Sequence, residues 1–158
     1  MNAPTLSRRT ALAAGLATGL AALSLRIWAA PDRGTVQVWK DPNCGCCKDW
    51  VAHLEQAGFK VTVFETGNAG ARKRLGIPEK LGSCHTGEIA GYALEGHVPA
   101  KDIQRLLREK PKALGLAVPG MPVGSPGMDG AVYQGRKDPY DVLLVAKNGA
   151  ASIYQSYR

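Results

Sequence analysis

The hydrophobic and polar positions of this chain change period several times, and each change predicts a new element. Residues 36–39 are a short apolar run typical of a strand, and a turn separates them from a helix that reaches about Ala57. Residues 60–65 alternate between polar and apolar side chains, which predicts a second strand. A second, short helix is predicted from a cap at Asn68 to Leu75, because Gly76 and Pro78 end it.

The next segment predicts a hairpin and a third helix. Residues 88–95 are strand-like on both sides of a bend at Gly91, and residues 100–109 place their apolar side chains at helical spacing. The resulting order, β-α-β-α-β-β-α, is typical of a thioredoxin-like domain of the α/β class.

The end of the chain extends beyond such a domain. Residues 114–130 are rich in Gly and Pro and contain Pro-Gly-Met twice, seven residues apart, which predicts a loop. Residues 141–146 and 151–157 predict two strands joined by a turn at Asn148-Gly149. We expect these strands to enlarge the sheet.

The first thirty residues have the composition of an export signal. Arg8 and Arg9 precede an uncharged Ala/Leu/Gly-rich run at 11–25, and small residues follow at 29 and 30. The run would rise only about 22 Å as a helix, which is short of the ~30 Å bilayer core. Arg8 and Arg9 also fit a twin-arginine signal. We therefore predict an export signal at 1–30, one domain at 31–158, and a periplasmic protein without membrane attachment after signal removal.

Charge and motifs exclude several function classes. The chain carries a formal charge of +7, and the part after residue 30 carries +4 as mixed-sign surface. Because no basic block with interleaved aromatic residues occurs, nucleic-acid binding is not predicted. No G-x-S-x-G, H-E-x-x-H or phosphate-binding glycine loop indicates hydrolysis.

Three of the four cysteines lie within four residues, at Cys44, Cys46 and Cys47. Cys44 and Cys47 have C-x-x-C spacing, which serves both dithiol redox motifs and metal sites. A redox dithiol does not need Cys46, whereas clustered thiolates suit a soft ion such as Cu(I) or Zn(II). Helix N-termini favour thiolate, which is both nucleophile and ligand, so the motif leaves both chemistries open.

The fourth cysteine, Cys84, lies just before the predicted third strand, where a thioredoxin-like fold brings a cis-proline loop against the dithiol. We expect Cys84 to replace that proline and face the other thiols, with a buried or disulfide-bonded Cys84 as the alternative. His85 adjoins it and is a candidate ligand. We assign His97 a capping or surface role and His53 a surface position.

The two methionines after the initiator, Met121 and Met128, both lie in the Gly/Pro-rich loop. A thioether is a soft ligand that favours copper over zinc, so both are candidate ligands on a lid over the cysteines. The alternative is that they only pack the loop onto the domain.

Together these motifs identify a family. The C-x-C-C cluster, the sequence EGHVP at 95–99 and the sequence GLAVPGMP at 115–122 resemble the exported CopG-type copper-resistance proteins, also known as domain of unknown function family 411. The resemblance extends over about residues 36–157. It implies a thioredoxin-like fold that binds a copper cluster, with Cys44, Cys46, Cys47 and Cys84 matching the family's cysteine ligands.

The sequence therefore predicts a periplasmic protein that binds copper as Cu(I) in a polynuclear cysteine cluster, with zinc less favoured. The expected partners are metal ions and other periplasmic copper-handling proteins. A thiol-disulfide oxidoreductase that uses Cys44 and Cys47 is the alternative.

Overall fold

The computed structural model describes residues 33–158, so the predicted export signal at 1–30 lies outside the described residues. In chain order its strands and α-helices are β1 (Thr35–Lys40), α1 (Gly45–Gln56), β2 (Lys60–Phe64), α2 (Ala69–Arg74), β3 (His85–Ile89), β4 (Tyr92–Glu95), α3 (Ala100–Glu109), β5 (Gly115–Ala117), β6 (Tyr140–Val145) and β7 (Ala151–Tyr157). The α/β class and the predicted order of the first seven elements are confirmed.

All the strands of the described part belong to one mixed sheet in the order β2-β1-β3-β4-β5-β6-β7. Strands β1 and β2 are parallel, as are β4 and β5, and the other neighbours are antiparallel. The C-terminal hairpin β6–β7 thus enlarges the sheet, as predicted. Because β3 and β4 are antiparallel, the start of β3 lies beside the end of β4, and the centre described below forms at this edge.

Strand β5 was not predicted. Its three residues lie inside the segment that the sequence assigns to a loop, yet all of them are buried between β4 and β6. Three residues are too few to show a period, so the neighbouring strands decide this conformation.

The predicted cap at Asn68 is only partly correct. Asn68 does precede α2, but its side chain makes no capping hydrogen bond. Its amide instead donates to the Ser83 carbonyl and the Thr86 hydroxyl, both at 3.2 Å. The side chain therefore ties α2 to the segment that enters β3, which begins three residues earlier than predicted.

Two apolar clusters form the core. The larger contains Trp50 and Leu54 of α1 together with Ile103 of α3, and Leu94 of β4 belongs to it. The smaller contains the neighbouring Ala93. Since successive strand side chains point to opposite faces, the clusters lie on opposite sides of the sheet. Within residues 33–158, no helix combines the length and apolarity needed to cross a membrane.

Candidate metal centre

The start of α1 presents three of the four cysteines. Cys44 is the N-cap residue, and Cys46 and Cys47 lie in the first helical turn. A hydrogen bond from the Cys44 backbone N–H to the Asp41 carbonyl, 3.1 Å long, fixes the preceding turn. Cys44 and Cys47 form a disulfide with a Cα–Cα distance of 5.4 Å, so the structure shows the oxidised form of the C-x-x-C pair.

The remaining cysteine faces this group, as predicted. Cys84 ends the segment before β3, and its sulfur lies 3.6 Å from that of Cys47 and 3.8 Å from that of Cys46. The sulfur of Cys46 is also 3.6 Å from that of Cys44. All four sulfurs lie within 4.8 Å of one another. Residues separated by almost forty positions thus form one compact donor group.

The thiols differ in their surroundings. Cys47 is fully buried, while Cys44, Cys46 and Cys84 are partly exposed. Burial, and then the neighbouring Cys46, raise the pKa of the Cys84 thiol to about 12. The first turn of α1 carries no acidic side chain, so no carboxylate there opposes the positive end of the helix dipole.

Two histidines extend the donor group at Cys84. Nδ1 of His85 lies 3.4 Å and Nε2 of His97 lies 3.2 Å from the Cys84 sulfur. Both rings are fully buried. The predicted candidate His85 therefore reaches the centre, and its Nε2 has no hydrogen-bond partner within residues 33–158.

The capping or surface role assigned to His97 is wrong. Nδ1 of His97 is 2.8 Å from the Pro126 carbonyl, and because a carbonyl only accepts, Nδ1 carries the hydrogen. Nε2 of the neutral ring is then the acceptor, with its lone pair directed at the Cys84 sulfur. The feature that could have indicated this role is the position of His97 two residues after β4, because the end of β4 lies beside the start of β3.

Both rings favour the neutral, ligating form. Burial is the main cause that lowers the pKa of His97, and it lowers the pKa of His85 well below the usual value for histidine. In each ring one nitrogen therefore carries a lone pair in place of a hydrogen at neutral pH.

The surface position predicted for His53 is only partly correct. His53 is half-buried, and its Nε2 accepts a hydrogen bond of 3.0 Å from the Ala100 backbone N–H at the start of α3. It therefore connects α1 with α3 and is not part of the sulfur group.

The Gly/Pro-rich loop docks beside the centre at two places. At one, the Ser83 hydroxyl donates to the Gly120 carbonyl, and the Gly120 N–H donates to the Gly82 carbonyl. At the other, residues 125–128 are buried, and a Cβ at Gly127 would lie only 2.6 Å from the Cys46 carbonyl oxygen. The loop thus contacts the backbone next to Cys84 and next to Cys46.

The two candidate methionines differ in exposure. Met128 is 8% exposed, and its sulfur accepts a hydrogen bond of 3.3 Å from the Tyr133 hydroxyl. Met121 adjoins the docked Gly120 and is 52% exposed. The loop bearing them lies at the centre, while ligation by Met121 or Met128 stays a prediction.

Residues 81–128 match the family model described as a protein of unknown function, DUF411. A comparison with curated proteins finds no match. Two solved structures described as copper resistance protein CopG, form 1 and form 2, are 51% and 50% identical to this chain. Each aligns with 78% of this chain, at TM-scores of 0.71 and 0.72, and the alignments cover 96% and 98% of those chains.

The chain belongs to the CopG-type copper-resistance family. The segment matched by the family model contains Cys84, His85, His97 and both loop methionines, whereas Cys44, Cys46 and Cys47 precede it.

Proposed function

We propose that this CopG-type protein binds copper as Cu(I) at the cysteine group and acts in copper resistance. The main observation in support of this proposal is that four cysteine sulfurs lie within 4.8 Å of one another. Sulfur is a soft donor that suits Cu(I), and the similar solved structures are described as copper resistance proteins.

The proposed ligands are Cys44, Cys46, Cys47 and Cys84, with His85 and His97 as nitrogen donors. Because three sulfurs come from one tight turn, bridging thiolates in a polynuclear centre suit the arrangement better than one tetrahedral ion. Metal ligands must be thiolates, so the Cys44–Cys47 disulfide has to be reduced before copper binds. Met121 is the proposed outer ligand at the exposed side.

We also propose that the domain is thioredoxin-like and that the protein is periplasmic. The order β2-β1-β3-β4, with β3 antiparallel to its neighbours and the cysteines at the start of α1, supports the first. Residues 1–30 support export by their arginines and apolar run. Other periplasmic copper-handling proteins are the proposed partners.

An anaerobic Cu(I) titration of the reduced protein tests the proposal. We expect more than one Cu(I) per chain, and lower affinity after replacement of any of the four cysteines by serine. His97→Gln should also weaken binding, whereas His53→Gln is the matched control outside the sulfur group and should not.

One zinc ion per chain without competing copper uptake would refute this function. Equal loss of copper in both histidine variants would remove His97 from the ligand set.

Thiol-disulfide exchange is the second candidate, and the Cys44–Cys47 disulfide favours it. Cys44 is partly exposed and Cys47 is fully buried, as an attacking and a resolving thiol would be. This function predicts disulfide turnover that Cys46→Ser and Cys84→Ser retain and Cys44→Ser loses. Loss of turnover in all three variants, together with copper binding in the parent, would leave copper binding as the function.

A further inference from the structure

Lys40 is a buried lysine directly before the cysteine turn. It is 2% exposed at the end of β1. The ammonium donates to the Asp41 carbonyl at 2.8 Å, to the Pro42 carbonyl at 3.4 Å and to Glu65 at 3.1 Å. These three acceptors match the three donor hydrogens of an ammonium group.

A shared hydrogen-bond acceptor and a strand pairing place Lys40 beside the centre. The Asp41 carbonyl that accepts from Lys40 also accepts the Cys44 backbone N–H at 3.1 Å. On the other side, Lys40 pairs with His85 in the register of β1 and β3. The charge therefore lies between the disulfide-bearing turn and the strand that follows Cys84.

The charges around Lys40 do not cancel fully. Glu65 is its carboxylate partner, but the Glu65 side chain is 54% exposed, so water screens its charge. The ammonium is almost completely buried, where a charge acts through a lower effective dielectric constant. Within this ion pair, the buried ammonium therefore acts more strongly on its surroundings than the exposed carboxylate does.

We propose that the buried positive charge of Lys40 raises the reduction potential of the Cys44–Cys47 disulfide, and that Glu65 moderates this effect. Reduction converts one S–S bond into two thiols or thiolates, and a nearby positive charge stabilises the thiolates. With glutathione as reductant, two glutathione thiols supply two electrons and two protons. The Cys44–Cys47 bond breaks and one glutathione disulfide forms. Lys40 thus favours the reduced form, which is the metal-binding form under the proposed function.

The test is equilibration of the metal-free full chain with glutathione buffers, followed by alkylation and a mass count of free thiols. In Lys40→Met the equilibrium constant for reduction should fall roughly tenfold, which equals about 30 mV for a two-electron couple. In Glu65→Gln it should rise about threefold, because the amide oxygen still accepts the Lys40 hydrogen bond but the negative charge is gone. Lys40→Arg should restore most of the parent value.

The directions in which Lys40→Met and Glu65→Gln shift the equilibrium constant for reduction distinguish an effect of charge from an effect of turn geometry. If Lys40 only holds the turn, both substitutions loosen it and both constants move in the same direction, which overturns the proposal. An unchanged constant in Glu65→Gln overturns it too, and this variant is informative even if Lys40→Met does not fold. Lys112→Met removes an exposed lysine after α3 and should leave the constant unchanged.

The effect of Lys40 on the disulfide does not depend on the proposed function; only its role in preparing the site for copper does. The equilibrium is measured without copper, so a protein that binds no Cu(I) but shows opposite shifts would refute the copper function alone. A protein that binds Cu(I) and shows no shifts would refute the role of Lys40 alone.

Discussion

At the scale of the residue, the buried carboxylate of Glu95 holds the segment that carries Cys84. Its two oxygens accept from the Ser83 N–H at 2.7 Å, the Thr86 hydroxyl at 2.6 Å and Arg72 at 2.9 Å. Arg72 also donates to the Ser83 carbonyl at 2.5 Å. Burial raises the pKa of Glu95, and the hydrogen bonds and Arg72 oppose that shift. Both backbone polar groups of Ser83 are thus fixed by one ion pair.

Two arginines of α2 provide a matched test of this pair. Arg72→Met leaves Glu95 buried without its cation and should lower the free energy of unfolding by about 3–5 kcal/mol. Arg74→Met removes an exposed ion pair with Glu88 and should cost only about 0–1 kcal/mol. Urea denaturation of the metal-free protein measures both.

If both variants lower the free energy of unfolding equally, the buried Arg72–Glu95 pair contributes no more to stability than the exposed Arg74–Glu88 pair. In that case the position of Cys84 would depend mainly on the contacts of Asn68, on the docked loop and on the strand register.

At the scale of the element, the Gly/Pro-rich loop depends on close backbone contact with α1. Gly127 has a φ of +84°, and a Cβ there would lie 2.6 Å from the Cys46 carbonyl oxygen and 2.8 Å from the Trp50 nitrogen. Backbone atoms of a helix cannot move aside cheaply. Only glycine therefore lets the loop pack at this distance.

Gly120 offers a control in the same loop, because its φ is +70° but a Cβ added there would meet no atom within 4 Å. Gly120→Ala should cost about 1–2 kcal/mol from the left-handed backbone alone. Gly127→Ala should cost about 1–3 kcal/mol more because of the added contact. Denaturation measures the cost, and faster alkylation of Cys46 in Gly127→Ala would report loop detachment.

If both alanine variants lose the same stability and alkylate at the parent rate, the loop does not depend on its contact with Cys46.

At the scale of the whole molecule, tyrosines connect the C-terminal hairpin to α3. Tyr157 donates to Asp102 at 2.5 Å and Tyr154 donates to Glu109 at 2.8 Å. Tyr140 stacks on Tyr157 with ring centroids 4.7 Å apart. Burial is the main cause that raises the pKa of each of these tyrosines, and that of Tyr140 rises to about 12.

These shifts predict a loss of stability at alkaline pH. A phenol whose pKa is raised on folding gives its full stability below the ordinary value of about 10 and loses it as the pH rises toward the folded value. The urea midpoint of the reduced, metal-free protein should therefore fall between about pH 10 and 12. Tyr140→Phe keeps the ring and removes the titrating hydroxyl, so its decline should be shallower.

A parent midpoint that stays constant over this range would contradict the prediction. So would a Tyr140→Phe variant with the same slope as the parent.

Element types could be read from the sequence where local chemistry and burial agree. Helix α3 was predicted with its observed bounds, because its apolar residues share one face and Pro99 precedes it. Strand β7 was predicted equally well from its turn signal and composition. Strand β5 was missed because its conformation is decided by the strands on either side.

In the candidate site, too, local features were predicted from the sequence and features that depend on distant residues were not. The C-x-C-C cluster is local, so the sequence alone predicted that Cys44, Cys46 and Cys47 lie together, and the fold argument added Cys84. His97 was misassigned because its role depends on two distant partners, the Cys84 sulfur and the Pro126 carbonyl. No spacing along the chain specifies both.

The sequence by itself determined the order of the first seven elements, the clustering of three soft sulfur donors and the family, because these depend on residue types and local periods. The tertiary structure alone decided that the four sulfurs lie within 4.8 Å, that His97 joins them and that Lys40 is buried beside them. Such contacts arise from strand pairing and loop docking between residues far apart in the chain. The free energy that fixes them comes from packing and desolvation across the whole sheet, which no local sequence pattern contains.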